Sequence, residues 1–549
     1  MLSSLSSIVL QYLKDYYNSY CCNSIQMFVV FTICVALVIS MSMRKSSSPV
    51  LIKDLSAFEA LSEEVLRSGH HLKRYLVKVD NDVDICSNHP VVKIVMDRYR
   101  KRSKPGKRDV DDEAKIALSI EGGGMRGCVA AGASAAIHFL GLNDAIDVVY
   151  GSSAGAMIGA YFVSRQFSGI QIYHDILPAA GNLFIDKIKL LFAAGLPSVL
   201  AYLLGRRNNR YNEFNSVSSS NSNSNSNSNS NKTAIRTDVF NLDFLLEYVM
   251  GILQPLDWDT FSKNERVQPL HVVASSLHQL KSVVFSRANG NYDSLPSFLL
   301  CVRASMSVPG ITGGMMGTFP GKSEVPTFVN EPTFASVATF NHNNNNNDDD
   351  DNKDDKDDKG EYNHHHHHSI ADAFMCEPMP YRSAIQNGAT HVIVLRTRPD
   401  PSPVLGKGPG VFERIISKRF FARYKEDSAQ AWLMDLQHHR LYAEDILRLN
   451  EGSKGSKVSI NGKSVYLLPI APGVQCKEVD QLELDREKIL RGMQDGCRQV
   501  LKIFAPELDL PEACIEDMLQ MILPDSILER KVDIADYKDG SIVEAGVLI

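Results

Sequence analysis

The 549-residue chain has little net charge of its own. The formal value is -6, and the segment from Asp348 to Lys359, with eight aspartates and three lysines, supplies -5 of it. The remainder is close to neutral, which argues against general nucleic-acid binding. The chain also lacks any C-x-x-C pair. Its ten cysteines are scattered without regular spacing, which suits free thiols in a reducing compartment better than a disulfide framework. Charge is missing altogether between Tyr16 and Met43. Within that stretch Ile25 to Met43 (IQMFVVFTICVALVISMSM) is long enough, at ~1.5 Å per residue, to cross a hydrocarbon core of ~30 Å. It starts too far from the N-terminus for a standard cleaved signal peptide, so a single-pass membrane anchor is expected over residues 1–47. Arg44 and Lys45 follow it, and the positive-inside rule then places the long C-terminal part in the cytosol.

What is present is an ordinary globular composition, 44% hydrophobic and 22% charged, with enough chain for two or more packed units. After the anchor, residues 48–112 read as short helices ending in a basic linker, Arg98 to Arg108, which fits either a lipid-headgroup contact or a solvated connection. Residues 113–400 alternate strands and helices. IALSI (116–120), IDVVY (146–150), PLHVVASSL (269–277) and HVIVLRT (391–397) are apolar, β-branched runs. The first two are each followed by a small-residue helix, the pattern of a mainly parallel sheet covered by helices. Two low-complexity tracts, 216–231 and 341–368, lack the apolar residues that offset the entropy of ordering and are expected to be disordered surface inserts. The five histidines His364 to His368 belong to the second tract and are not expected to form a metal site. Residues 401–549 read as helices (429–449 and 481–504) flanking a hairpin with its turn at Asn461 and Gly462.

Two turns carry the chemistry. LSIEGGGMRG, Leu118 to Gly127, is a glycine loop between a strand and a helix, and by itself it fits a dinucleotide phosphate as well as an oxyanion. GSSAG, Gly151 to Gly155, follows the second strand and opens a second helix. A strand-turn-helix of this kind needs glycine on both sides of the serine, because side chains would clash in so sharp a turn, and it leaves Ser153 exposed as a nucleophile. The two turns lie one strand-helix unit apart, so they share one edge of the sheet. A glycine loop beside a serine elbow is what acyl transfer requires; a dinucleotide site would leave GSSAG idle.

On these motifs the sequence resembles the patatin-like phospholipase family. Gly122, Gly123, Gly124, Met125, Arg126 and Gly127 match the family's oxyanion loop, and Gly151, Ser153 and Gly155 match its nucleophile elbow. The resemblance covers roughly residues 113 to 400. It implies a three-layer α/β/α core and a Ser-Asp dyad without a catalytic histidine. It also implies that the acid lies in a late D-G-G or D-G-A motif, whose candidate here is Asp372, with Ala373 where the family usually has glycine. The backbone N–H groups of Gly123, Gly124 and Met125 are then expected to face the oxyanion. Arg126 either adds positive charge there or closes the loop through a salt bridge. The implied activity is carboxylic ester hydrolysis of membrane phospholipid or neutral acylglycerol, with no cofactor and no metal.

Two other classes stay open on the residues alone. A conventional Ser-Asp-His esterase would draw its base from His391, His438 or His439, which follow Asp372 in the chain, and a non-enzymatic membrane scaffold would keep the fold without the reaction. Two apolar-basic segments, Leu183 to Leu204 and Val411 to Lys425, fit either a membrane interface or the core.

Overall fold

The computed structural model describes residues 50–68, 75–77, 88–186, 239–312, 316–320, 326–328, 368–405, 409–422 and 426–534. The expected anchor, the tract at 216–231 and nearly all of Leu183 to Leu204 lie outside these residues. So does the tract at 341–368, except that His368 opens a strand instead of ending an insert. Among the described residues no helix is long and apolar enough to cross a membrane.

The strands, in chain order, are β1 (Val50–Ile52), β2 (Tyr75–Val77), β3 (Ile116–Ile120), β4 (Val148–Ser152), β5 (Leu270–Ser276), β6 (Lys281–Phe285), β7 (Met316–Pro320), β8 (Pro326–Phe328), β9 (His368–Ala371), β10 (His391–Leu395), β11 (Ser402–Leu405), β12 (Lys457–Ile460) and β13 (Lys463–Ile470). The helices used below are α1 (Leu55–Ser68), α2 (Pro90–Arg100), α3 (Cys128–Phe139), α4 (Ala154–Val163), α5 (Leu295–Ser305), α6 (Tyr381–Gln386), α7 (Val411–Ile416), α8 (Asp427–Met434), α9 (Gln437–Ser453) and α10 (Arg486–Phe504). A ten-stranded sheet runs β12-β13-β10-β3-β4-β5-β9-β7-β8, with β6 also on β5; β1, β2 and β11 form a separate small sheet. The five central strands β13, β10, β3, β4 and β5 are parallel, and the outer ones are antiparallel.

The sheet is covered on both faces, as its side chains alternate with period two. Ile116, Leu118 and Ile120 of β3 point into one core with α3, α4 and α10, while Ala117 joins a second core with α6 and α9. In β10, Ile393 and Leu395 take the first face and Val392 and Val394 the second. The architecture is therefore an α/β sandwich of helices around a mixed sheet.

The segment after residue 400 is woven into this body. β13 extends the sheet beside β10, through a hairpin whose Asn461 and Gly462 both have positive φ (50° and 78°), the geometry of the expected two-residue turn. α10 crosses α3 at glycines: a Cβ on Gly496 would strike Val129 O. One on Gly132 would meet Met493 O even more closely. The run 429–449 is broken into α8 and α9 by Leu436, whose φ is 58°. The basic linker is folded, since Arg98 is 1% exposed and binds Asp112 and Asp147, and Arg108 also binds Asp147. Val411 to Lys425, where described, turns Ile416 and Phe421 into a core cluster with Ala371 and Met375.

Candidate active site

Ser153 sits between β4 and α4 with φ 52° and ψ -122°, a strained conformation for a residue with a side chain. The neighbouring glycines are required by contact. A Cβ on Gly151 would lie 2.5 Å from Ala156 Cα, and one on Gly155 would strike Ile120 O of β3. On Gly122 it would meet Ser152 O at 2.6 Å and Ser153 Cβ at 2.9 Å, so the glycine loop presses directly on the elbow. Gly127 is the point where the loop passes Tyr173 and Ala154.

Asp372 follows β9, and the sheet explains how it reaches Ser153. β4 pairs with β5 from Leu270 to Val273, and β9 pairs with β5 at Ser275 and Ser276. Since β6 occupies the other edge of β5 from Val272 to Ser276, β9 takes over the edge that β4 leaves at Ser152. The residue after β4 and the residue after β9 thus meet. Ser153 Oγ donates to Asp372 Oδ2 at 2.7 Å. The other carboxylate oxygen accepts from Phe374 N–H at 2.8 Å, and Asp372 N–H donates to Ser307 O at 2.7 Å. Asp372 is 4% exposed, and burial pushes its carboxyl up to about 6, with the bonds from Ser153 and Phe374 opposing the shift. Ala373 begins a short 3-10 turn (Ala373–Met375) without positive φ, so this site accommodates a Cβ where the family pattern has glycine.

The chain after the acid is bound back to both turns. Ser152 Oγ donates to Glu377 O at 2.7 Å, and Gly122 N–H donates to Pro378 O at 3.1 Å. The glycine loop is braced from behind by Glu121, which accepts from Tyr442 OH and Thr397 N–H. One of the three expected backbone donors is engaged, and Arg126 takes the salt-bridge alternative. Met125 N–H donates to Gln481 O at 3.1 Å, so it is already engaged. Arg126 is buried and closes the loop through a 2.7 Å ion pair with Glu478. Burial and the nearby Arg398 hold its guanidinium below its ordinary value. Gly123 and Gly124, with φ of 150° and 59°, keep backbone N–H groups without a hydrogen-bond partner among the described residues.

The three candidate histidines lie elsewhere. His391 is the first residue of β10, at the opposite end of the parallel strands from Ser153. His438 and His439 face Glu413. No histidine among the described residues hydrogen-bonds to Ser153 or Asp372. Sequence reasoning missed Ser305, whose hydroxyl accepts from Ser153 N–H at 2.7 Å and donates to Val273 O. A serine at the end of a helix carries no local signal for such a task; only the fold brings it there.

No curated protein matches the chain significantly. The family model described as patatin-like phospholipase matches residues 118–361, less than half of the chain. The matched segment holds the glycine loop and the elbow and stops short of Asp372. Residues 118–361 are therefore similar to the patatin-like phospholipase domain, a family of lipid acyl hydrolases.

Proposed function

We propose that the protein hydrolyses carboxylic ester bonds of phospholipids or acylglycerols through a Ser153–Asp372 dyad, with Gly123 and Gly124 as the oxyanion donors. The observation that carries this reading is the 2.7 Å bond from Ser153 Oγ to the buried Asp372 carboxylate, on a serine held in an elbow conformation. Asp372 takes the hydroxyl proton as Ser153 Oγ attacks the ester carbon. The negative oxygen of the tetrahedral intermediate lies against the two free N–H groups, each such donor being worth ~3 to 4 kcal/mol in comparable sites. Asp372 then gives its proton to the departing alcohol, and water, deprotonated by the same carboxylate, releases the fatty acid from Ser153. A membrane anchor at residues 25–43, expected from the sequence alone, would hold the site beside its substrate with the catalytic part on the cytosolic side.

The test is fatty-acid release by the purified full-length chain from mixed phospholipid and triacylglycerol vesicles, beside Ser153→Ala, Asp372→Asn and His391→Gln. The dyad requires the first two variants to be silent and the third to retain the parent rate. Turnover in Asp372→Asn removes the acid assignment, loss in a folded His391→Gln revives the histidine triad, and an inert, folded parent favours the scaffold.

A further inference from the structure

Beside the loop that carries Asp372, three side chains of metal-ligand type converge. Glu413 of α7 and His438 and His439 at the start of α9 bring one ligand atom each within 4.8 Å of one another. Glu413 Oε1 lies 3.8 Å from His438 Nε2 and 3.4 Å from His439 Nε2. With Zn–N and Zn–O bonds of about 2.0 to 2.2 Å, neighbouring ligands of a tetrahedral ion stand roughly 3.3 to 3.5 Å apart. One observed edge falls in that range and the other is slightly longer.

The ring environments point the same way. His439 Nδ1 is 2.6 Å from Val404 O. A carbonyl only accepts, so Nδ1 carries the hydrogen, and Nε2 is the ring nitrogen turned to the Glu413 carboxylate. A backbone carbonyl on the far nitrogen is the partner that orients metal-binding imidazoles. His438 is 6% exposed, its Nδ1 has no hydrogen-bond partner, and its Nε2 is too far from Glu413 for a direct bond. The Nε2 of so buried an imidazole, beyond direct bonding distance of the only carboxylate it faces, is left open to a ligand between them.

We propose that Glu413, His438 and His439 bind one divalent transition-metal ion of the zinc class, with water in the fourth position. One carboxylate and two imidazoles suit such an ion, whereas calcium and magnesium prefer an all-oxygen set. The ion staples α7 to α9. It stands outside the reaction but next to its frame: His438 meets Phe374 edge-on at 5.8 Å, and Phe374 N–H holds the second oxygen of Asp372.

The test uses the full-length chain with His364→Asn, His365→Asn, His366→Asn and His367→Asn, which removes the histidine run as a competing binder. After chelator treatment, Co2+ is titrated and followed by visible absorption, and Zn2+ is added to displace it. One equivalent of cobalt with the intense bands of four-coordinate geometry, bleached by zinc, is the expected result, together with a zinc-dependent rise in Tm. Both signals should weaken by roughly 100-fold or more in Glu413→Gln and His439→Gln, checked for folding by circular dichroism. If a variant does not fold, zinc protection of His438 and His439 from diethylpyrocarbonate in the unsubstituted site, mapped on peptides, takes its place. Absence of the cobalt spectrum, its persistence in folded variants, or no protection of the two histidines overturns the proposal and leaves an imidazolium-carboxylate pair.

Discussion

Ser153 Oγ and Asp372 Oδ2 are 2.7 Å apart although 219 residues separate them in the chain. Because burial holds the Asp372 carboxyl up at about 6, the group changes protonation within the range where enzymes are assayed. A base works as the carboxylate, so kcat/KM should rise with pH through about 6 and level off above it. A profile flat between about pH 5 and 8 would remove Asp372 as the base.

The same group bears on stability. Its ordinary value is 3.8, so between there and about 6 the folded chain binds a proton that the unfolded chain has lost. Stability contributed by this site is therefore complete below that window and declines as pH rises through it. Asp372→Asn has no such decline. Its Tm should exceed that of the parent at pH ~8, by an equivalent of up to about 3 kcal/mol, with the difference closing near pH ~4. Thermal melts of both proteins across pH decide this, and a less stable Asn variant at the higher pH would contradict the buried-carboxylate picture.

Ser305 holds the backbone of the nucleophile instead of touching the reacting atoms. Ser305→Ala strips the acceptor from Ser153 N–H and leaves Val273 O unpaired, an effect of about 1 to 3 kcal/mol. We expect kcat to drop roughly 10-fold with KM little changed, since the elbow loosens while the lipid site stays intact. An equal loss in KM alone would assign Ser305 to substrate binding.

The α3–α10 crossing makes a contrast between two glycines. Gly496→Ala drives a methyl group into the backbone carbonyl of Val129 and should cost about 3 kcal/mol or more or abolish soluble expression. Gly251→Ala meets nothing closer than 4.0 Å and has no positive φ, so its midpoint in urea should stay at or above that of the parent.

The central strands were legible because buried parallel strands read as short apolar runs: β3 matches IALSI at both ends. β4 was read two residues early, as Ile146 is apolar like a strand residue, whereas Gly151 and Ser152 continue the pairing that composition would end. Both site turns were visible because a sharp backbone needs glycine and announces it. Asp372 is a candidate only through resemblance, since the strand before it, HSIA, is four residues long with no periodicity of its own. The engagement of Met125 is not legible locally for a tertiary reason: Gln481, far along the chain, occupies its N–H. The break at Leu436 was also invisible, because leucine in a left-handed conformation carries no sequence signal, and that break is what sets His438 and His439 at a helix start.

Serine and acid are positioned by successive segments of one edge of β5, and that arrangement does not depend on how much chain intervenes. The Ser/Asn tract lies between β4 and β5, and the Asn/Asp tract lies between β8 and β9. Closing a loop costs only about 0.6 kcal/mol more for each doubling of its length. Simple repeats of this kind are prone to gain and lose units when their codons are copied. Because both return points are fixed on the same strand, such drift in length can accumulate while the distance between hydroxyl and carboxylate stays as it is.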